Sequence, residues 1–262
     1  MTRIFAAVSV VALLVVGAAR AASADELSDL VDRADRAYRG KTSAAVFGME
    51  IVTKHYTRNY KVVAWDNNRG KKDKTLIKIL GPALWRGNGT LKIGDKLELY
   101  DPKTNHVTLV SASMLGDSWM GSHFSNDDLV KETRLADDYD VVLEKKWQGD
   151  SLLGKNTIFY RIRLTPKPTA PVAWAKIVYT VERSGDTVIP DRADYYRKLS
   201  QKHPSRTATF TDIRKLGGRM LPARMTMTVA DKPGEHTTIH YVKLVIGVKI
   251  PDSKFTAQAL RK

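Results

Sequence analysis

Six histidines, at positions 55, 106, 123, 203, 236 and 240, are the first side chains to test for chemistry. His236 and His240 are four apart in a segment that reads as a strand. That puts them on one face but about 13 Å apart along it, too far to share a metal. His123 follows Ser122 and precedes Asp127, which are the residue types of a nucleophilic triad. No Gly-x-Ser-x-Gly turn surrounds that serine, and triads assemble from residues distant in sequence. Asp127-Asp128 and Asp137-Asp138 are paired acids without further ligands at calcium-loop spacing, and helix starts and turns suffice for them. The glycine-containing stretches lack the Lys-Ser/Thr and the βαβ setting of a phosphate loop. Cysteine is absent, which excludes a thiol nucleophile, thiolate-bound zinc or iron–sulfur, disulfides and an acylated amino-terminal Cys. The expectation is a protein without catalytic residues, metal or cofactor.

The residues that stand out instead are apolar and sit in polar company. Ser111 to Thr133 interrupts two series of strand-like segments, and within it Met114, Leu115, Trp119, Met120 and Phe124 crowd among serines and glycines. Five large apolar side chains in a connection need an apolar surface to cover, either core or cavity. Gly116 and Gly121 give the segment hinge freedom. It is therefore expected to be a lid over a cavity, with Trp119 and Phe124 touching the ligand; a segment packed permanently into the core is the alternative. Ser125 followed by Asp128 reads as a capping box with the shorter acid, Asn126 being a rival cap, and a short helix then begins at Leu129-Val130.

Elements must position these residues. Asp25 to Arg39 reads as a helix capped by Asp25 or Ser28, with Leu27, Leu30, Val31, Ala34, Ala37 and Tyr38 on one stripe and Gly40 as its stop. Strand-like segments follow near 44–55, 57–67, 74–81, 84–93, 96–101 and 107–110, and again near 139–148, 157–165, 174–184, 187–198, 206–215, 220–230 and 235–246. Gly94-Asp95 marks a tight hairpin. Ile158, Tyr160, Ile162 and Leu164 alternate with Arg161 and Arg163. Ile177, Tyr179 and Val181 oppose Lys176, Thr180 and Glu182, and Met225 and Met227 oppose Arg224, Thr226 and Thr228. A dozen short strands with one apolar face predict a single curved antiparallel sheet that closes on itself or is plugged by helices. Tyr160, Ile162, Met225 and Met227 on its apolar face join the lid residues as candidate ligand contacts, methionine being adaptable to flexible ligands.

The chain of 262 residues carries 43 Lys+Arg against 28 Asp+Glu, a formal charge of +15. Residues 1–24 have the layout of a secretory signal peptide: Thr2-Arg3, an uncharged apolar run from Ile4 to Ala19, then Ala19-Arg20-Ala21 or Ala22-Ser23-Ala24 as cleavage site, with cleavage after Ala24 preferred. A membrane anchor is the rival reading, but the run falls short of the ~20 residues a span prefers. Residues 25–262 are expected to form one domain. In an exported protein the basic excess points to anionic lipid surfaces, acidic glycans or an acidic partner rather than nucleic acid, for which no recognition motif occurs. Its densest clusters, Arg69–Lys74 and Lys198–Arg206, sit beside turn residues and read as solvated loops.

Two stretches carry a family resemblance. Leu97-Glu-Leu-Tyr-Asp-Pro102-Lys-Thr-Asn-His-Val-Thr-Leu109 resembles the strand–turn–strand of the periplasmic lipoprotein carrier LolA. Ser118-Trp-Met-Gly-Ser-His-Phe-Ser-Asn-Asp-Asp-Leu129 resembles the motif of the related outer-membrane lipoprotein-sorting family, whose members commonly show an acid where His123 stands. The resemblance implies a mainly β fold, an incomplete, strongly curved antiparallel β-barrel covered by an amino-terminal helix and a short helical lid. It further implies a non-enzymatic periplasmic carrier that binds acyl chains of lipids or lipoproteins. Such a carrier transfers them between envelope membranes, from an inner-membrane exporter to an outer-membrane acceptor. A lipid-responsive regulatory module of the same fold is the alternative; such modules usually carry a further carboxy-terminal domain, whereas this chain ends soon after Ile250–Thr256.

Overall fold

The computed structural model describes residues 23–130, 135–168, 170 and 172–262. The export segment expected at 1–24 therefore lies outside them, apart from Ser23 and Ala24. Helix α1 (Ala24–Asp35) is followed by β1 (Thr42–Val52), β2 (Thr57–Asn67), β3 (Lys74–Gly81), β4 (Gly89–Ile93), β5 (Lys96–Asp101) and β6 (His106–Leu109). After α2 (Asn126–Val130) and α3 (Leu135–Asp138) come β7 (Tyr139–Ser151), β8 (Gly154–Pro166), β9 (Lys176–Ser184), β10 (Thr187–Tyr196), β11 (Arg206–Leu216), β12 (Arg219–Val229) and β13 (His236–Ile246). A last short helix, α4 (Ala257–Arg261), ends the chain. Among the described residues no helix is long and apolar enough to cross a membrane.

Among the described residues, thirteen strands form one antiparallel sheet in the order β6-β5-β4-β3-β2-β1-β13-β12-β11-β10-β9-β8-β7. The chain thus builds outward from β1 to one edge, crosses to the opposite edge, and builds back until β13 pairs with β1. The single crossover is the apolar interruption, which has to bridge the open side between the edge strands β6 and β7. Ile77 on β3 and Tyr179 on β9 line one cavity, although seven strand spacings separate them, about 34 Å in a flat sheet. The sheet must therefore wrap around that cavity. It is a half-barrel, not closed, with few helices.

Alternation decides the two faces as the sequence predicts. Tyr160, Ile162 and Leu164 are buried while Arg161 and Arg163 are exposed. Gly94 turns the β4–β5 hairpin with φ 57°. The expected strand from 84 instead begins with a single 3₁₀ turn at Ala83–Trp85, and pairing resumes at Gly89. Strand β9 departs from the expected polar outer face, since Val178, Thr180 and Glu182 are buried as well. Glu182 lies opposite Phe159, whose ring stacks on Trp147 at 5.1 Å, and this cover pushes its carboxyl pKa up by desolvation.

Helix α1 lays Leu27, Leu30, Val31 and Ala34 on the inner face against Tyr160, Ile162, Leu164 and Ile177. Each fully buried leucine or valine contributes about 2 kcal/mol. The cap is Ser23, whose Oγ accepts from Glu26 N at 3.2 Å, rather than Asp25 or Ser28. Asp25 and Glu26 occupy the first turn, where the helix dipole favours acids. The helix stops at Asp35, four residues before the predicted end, and Tyr38 lies beyond it. Its ring stacks on Tyr241 at 4.9 Å and its hydroxyl donates to Pro222 O at 2.7 Å.

The opposite face of β3–β5 is covered by the chain's end, which the sequence reading leaves without structure. Phe255 and Leu260 pack on Leu76, Leu91 and Tyr100, and the Lys78 ammonium donates to the carbonyls of Leu260 and Gly87. Gly89 makes the close approach possible: a Cβ there would lie 2.7 Å from Leu260 Cδ1. Gly89→Ala is expected to loosen α4 and cost about 1–3 kcal/mol by overpacking, measurable by urea denaturation; an unchanged midpoint would show that the strap yields freely.

Candidate functional site

The inner face encloses a cavity of about 330 Å³. Its walls are apolar and aromatic side chains from both halves of the sheet: Phe47, Ala64 and Ile77 on one side, Tyr179, Phe210, Met225 and Met227 on the other. Ala34 and Tyr38 come from α1 and its continuation, and Trp119, Phe124 and Leu129 from the crossover. Polar groups are few and grouped. Asp35 ends α1 and Arg39 follows it, Asp66 stands on β2, and Asp127 and Asp128 stand at the start of α2. Asp66 accepts from Thr75 Oγ1 at 2.8 Å and Ser43 Oγ at 3.1 Å. Burial pushes the phenols of Tyr38, Tyr179 and Tyr195 far up in pKa, so they remain neutral hydrogen-bonding groups on an apolar wall.

Of the nine residues singled out from the sequence, Trp119, Phe124, Met225 and Met227 line this cavity. Tyr160 and Ile162 lie on the same inner face but are buried beneath α1. Met120 packs against the main core, and Met114 and Leu115 are half-buried outside the cavity lining. The aromatic residues Phe47, Tyr179, Trp174 and Tyr241 complete the wall and were not singled out. Tyr179 stood on a predicted apolar face and could have been; Trp174 began the predicted strand in phase with Lys176, Thr180 and Glu182, on its polar face, whereas the observed strand starts only at Lys176.

The crossover is fastened along its length. Met120 and Gly121 take left-handed backbone, φ 54° and 73°, and turn the segment so that Trp119 points inward. The Trp119 indole donates to Thr90 Oγ1 at 3.0 Å, and Tyr56 Oη donates to Gly121 O at 2.9 Å. The capping box forms as its spacing predicts: Asp128 Oδ2 accepts from Ser125 N at 2.7 Å, and Asp128 N reaches Ser125 Oγ at 3.3 Å. Arg206 on β11 donates to both Asp128 Oδ2 and the His123 carbonyl at 2.8 Å. Its guanidinium also lies 5.5 Å from the ring of Trp174.

His123 is buried, with Nδ1 2.8 Å from Thr237 Oγ1 and Nε2 3.5 Å from Glu235 Oε2. Desolvation holds its pKa below the ordinary 6.5, against the hydrogen bond that Glu235 accepts from it and with Lys232 and His236 adding repulsion. A histidine depressed in the fold contributes stability above its unfolded pKa and loses it as pH falls through the folded value. Unfolding midpoints are therefore expected to decline below about pH 6.5, and His123→Gln to flatten that part of the profile. Glu235 is depressed too, chiefly by the Lys54 N–H, and acts in the separate carboxylate range. Equal slopes for both proteins between pH 5 and 7 would remove His123 from the account.

The comparisons with known proteins agree with this architecture. A family model described as "uncharacterized protein" matches residues 71–262. No curated protein matches the sequence. Among solved structures, a DUF1329 family protein from Desulfovibrio piger superposes with TM-score 0.77 at 24% identity, over 90% of this chain and 98% of that one. A putative outer membrane lipoprotein-sorting protein domain from Vibrio parahaemolyticus gives 0.73 at 17%, over 92% and 100%. A LolA superfamily protein from Nitrosomonas europaea gives 0.67 at 21%, over 89% and 98%. The chain belongs to the "uncharacterized protein" family whose model spans residues 71–262, and its fold is LolA-like.

Proposed function

We propose that the protein is an exported, non-enzymatic carrier that binds the acyl chains of a lipid or lipidated protein and transfers them between envelope membranes. An inner-membrane exporter and an outer-membrane acceptor would be its partners, and an anionic bilayer its working surface. The observation that carries the reading is the cavity. It is apolar on most of its wall, walled by an unclosed sheet and covered by a crossover, and its volume lies at the lower end of the ~300–1,000 Å³ of ligand sites. Burying about ten methylenes at ~0.8 kcal/mol each supplies about 8 kcal/mol before the cost of association. The neutral phenols of Tyr38, Tyr179 and Tyr195 on the wall offer an amphiphile's polar end hydrogen bonds. The Met114–Phe124 segment would cover the ligand as a fixed cap anchored in the core through Trp119, with Trp119 and Phe124 facing the ligand.

Native mass spectrometry of protein purified from its own envelope without detergent is the test. The expected result is a bound species of lipid mass that an added fatty acid displaces. Ligand-free protein that also fails to bind a fluorescent fatty acid would overturn the reading.

Export is expected to leave a mature chain beginning at Asp25. Cleavage there removes the Ser23 cap and leaves Asp25 and Glu26 alone to face the helix dipole. Intact mass decides it, and an uncleaved form recovered in membranes would sink the soluble-carrier reading.

A further inference from the structure

Three loops at one rim of the sheet share a composition that the cavity does not explain. They are the β3–β4 connection at 82–88, the β5–β6 turn at 102–105 and the β10–β11 loop at 197–205. The register places them together: Lys61 pairs with Gly81, Val52 with His236, Val229 with Arg206, and Arg206 with Tyr195. Leu84 is 60% exposed and Leu199 63%. Arg86, Lys103, Lys198 and Lys202 stand exposed beside them, and the three loops contain no acid. Trp85 sits between cations, 5.1 Å from the Arg58 guanidinium and 5.5 Å from the Lys103 ammonium. The turn that presents Leu84 is held by Trp85 N to Pro82 O and Arg86 Nε to Leu80 O, both at 3.0 Å.

We infer that this rim is the face by which the protein docks on an anionic phospholipid bilayer, an inference that builds on the carrier reading. Charge complementarity is the first argument: the three loops bear exposed Lys and Arg and no acid, and the β12–β13 turn between them on the same rim sets exposed Lys232 beside exposed Asp231. The spacing of the leucines is the second. Leu84 and Leu199 are separated by six strand spacings, about 29 Å along the rim, so they do not form one patch. A protein partner needs one contiguous apolar patch, whereas a fluid bilayer accepts single leucines inserted at separate points, with tryptophan at headgroup level. Position relative to the cavity is the third. Trp174 and Ala173 line the cavity, Ala173 is exposed, and Arg197 at the start of the third loop lies 5.2 Å from the Trp174 ring. Docking on this rim brings that opening to the lipid.

The test is co-flotation of the full mature protein with phosphatidylcholine vesicles, with and without phosphatidylglycerol, at low salt and at 0.15 M. Leu84→Asp with Leu199→Asp is compared with Leu152→Asp, a leucine 70% exposed in the β7–β8 turn at the opposite rim. Wild type is expected to prefer anionic vesicles and to bind less as salt rises, the screening length then being about 8 Å. The double variant should lose binding by about tenfold or more, and Leu152→Asp should match wild type. Equal flotation of the double variant and wild type, an equal loss in Leu152→Asp, or indifference of wild type to phosphatidylglycerol would each overturn the inference. Binding of a fluorescent fatty acid in vesicle-free solution is read on the same proteins. Its retention in the double variant confirms an intact fold and assigns the lost flotation to the rim. Its absence in wild type would instead strike the carrier reading alone.

Discussion

Trp119→Ala is expected to cost about 3–5 kcal/mol of folding stability, which lowers the melting midpoint by roughly 10 °C for a chain of this size. The indole is buried in the main core with Phe47, Val62 and Ile77. Its Nε1–H is satisfied by Thr90, so truncation leaves a large void and a hydroxyl that has lost its donor. Phe124 lines the same cavity but is only half-buried, at the margin of the α1 core. Phe124→Ala should therefore melt within about 1.5 kcal/mol of wild type while its affinity for an acyl-chain probe falls. Thermal denaturation and probe titration on both variants separate the two contributions of the crossover. If Trp119→Ala melts like wild type and loses only probe affinity, Trp119 belongs to a movable cover and its assignment to the core is wrong. If Phe124→Ala binds the probe normally, Phe124 does not touch the ligand.

The sequence carries the strands plainly because a half-buried strand cannot slip by one residue without exposing its whole apolar set. Tyr160, Ile162 and Leu164 against Arg161 and Arg163 leave one choice of face, and the predicted β2 coincides with the observed Thr57–Asn67. Which apolar residues see the cavity is a different matter. Ile162 and Met227 have the same local pattern; α1 lies over the first and leaves the second open. That difference belongs to where a helix comes to rest, and no periodicity encodes it. Helix α4, five residues long, is too short to show a period, and its place is set by Leu260 meeting Leu76 and Leu91 from far along the chain. Asp66 escaped notice for a related reason: only the pairing of β1 and β3 on either side of β2 brings Ser43 and Thr75 to its carboxylate. The crossover motif, by contrast, showed its apolar content and its capping box locally, since both rest on contacts three or four residues apart.

Arg206 supplies the second large effect. It is buried on β11 and spans to the crossover, where one guanidinium nitrogen serves Asp128 and the His123 carbonyl together. The order of the sheet makes this bond consequential. The crossover leaves β6 at one edge and must reach β7 at the other, and Arg206 ties its middle to the strand that faces it across the cavity. Arg206→Met removes a buried charge while leaving the Asp128 carboxylate behind; losing one partner of a buried pair costs about 3–5 kcal/mol. The lower end applies here, because Asp128 keeps a quarter of its side chain in solvent and retains the donors of Ser125. Arg206→Lys keeps the charge but not the fork, and should recover only part of the loss. Urea denaturation of Arg206→Met, Asp128→Asn and the double variant gives the coupling directly, expected to exceed about 1 kcal/mol. Amide exchange should then rise in residues 118–128 of Arg206→Met more than in β12 and β13. Additive single effects with unchanged exchange at the crossover would mean that the pair holds nothing, and that Trp119 alone keeps the segment over the cavity.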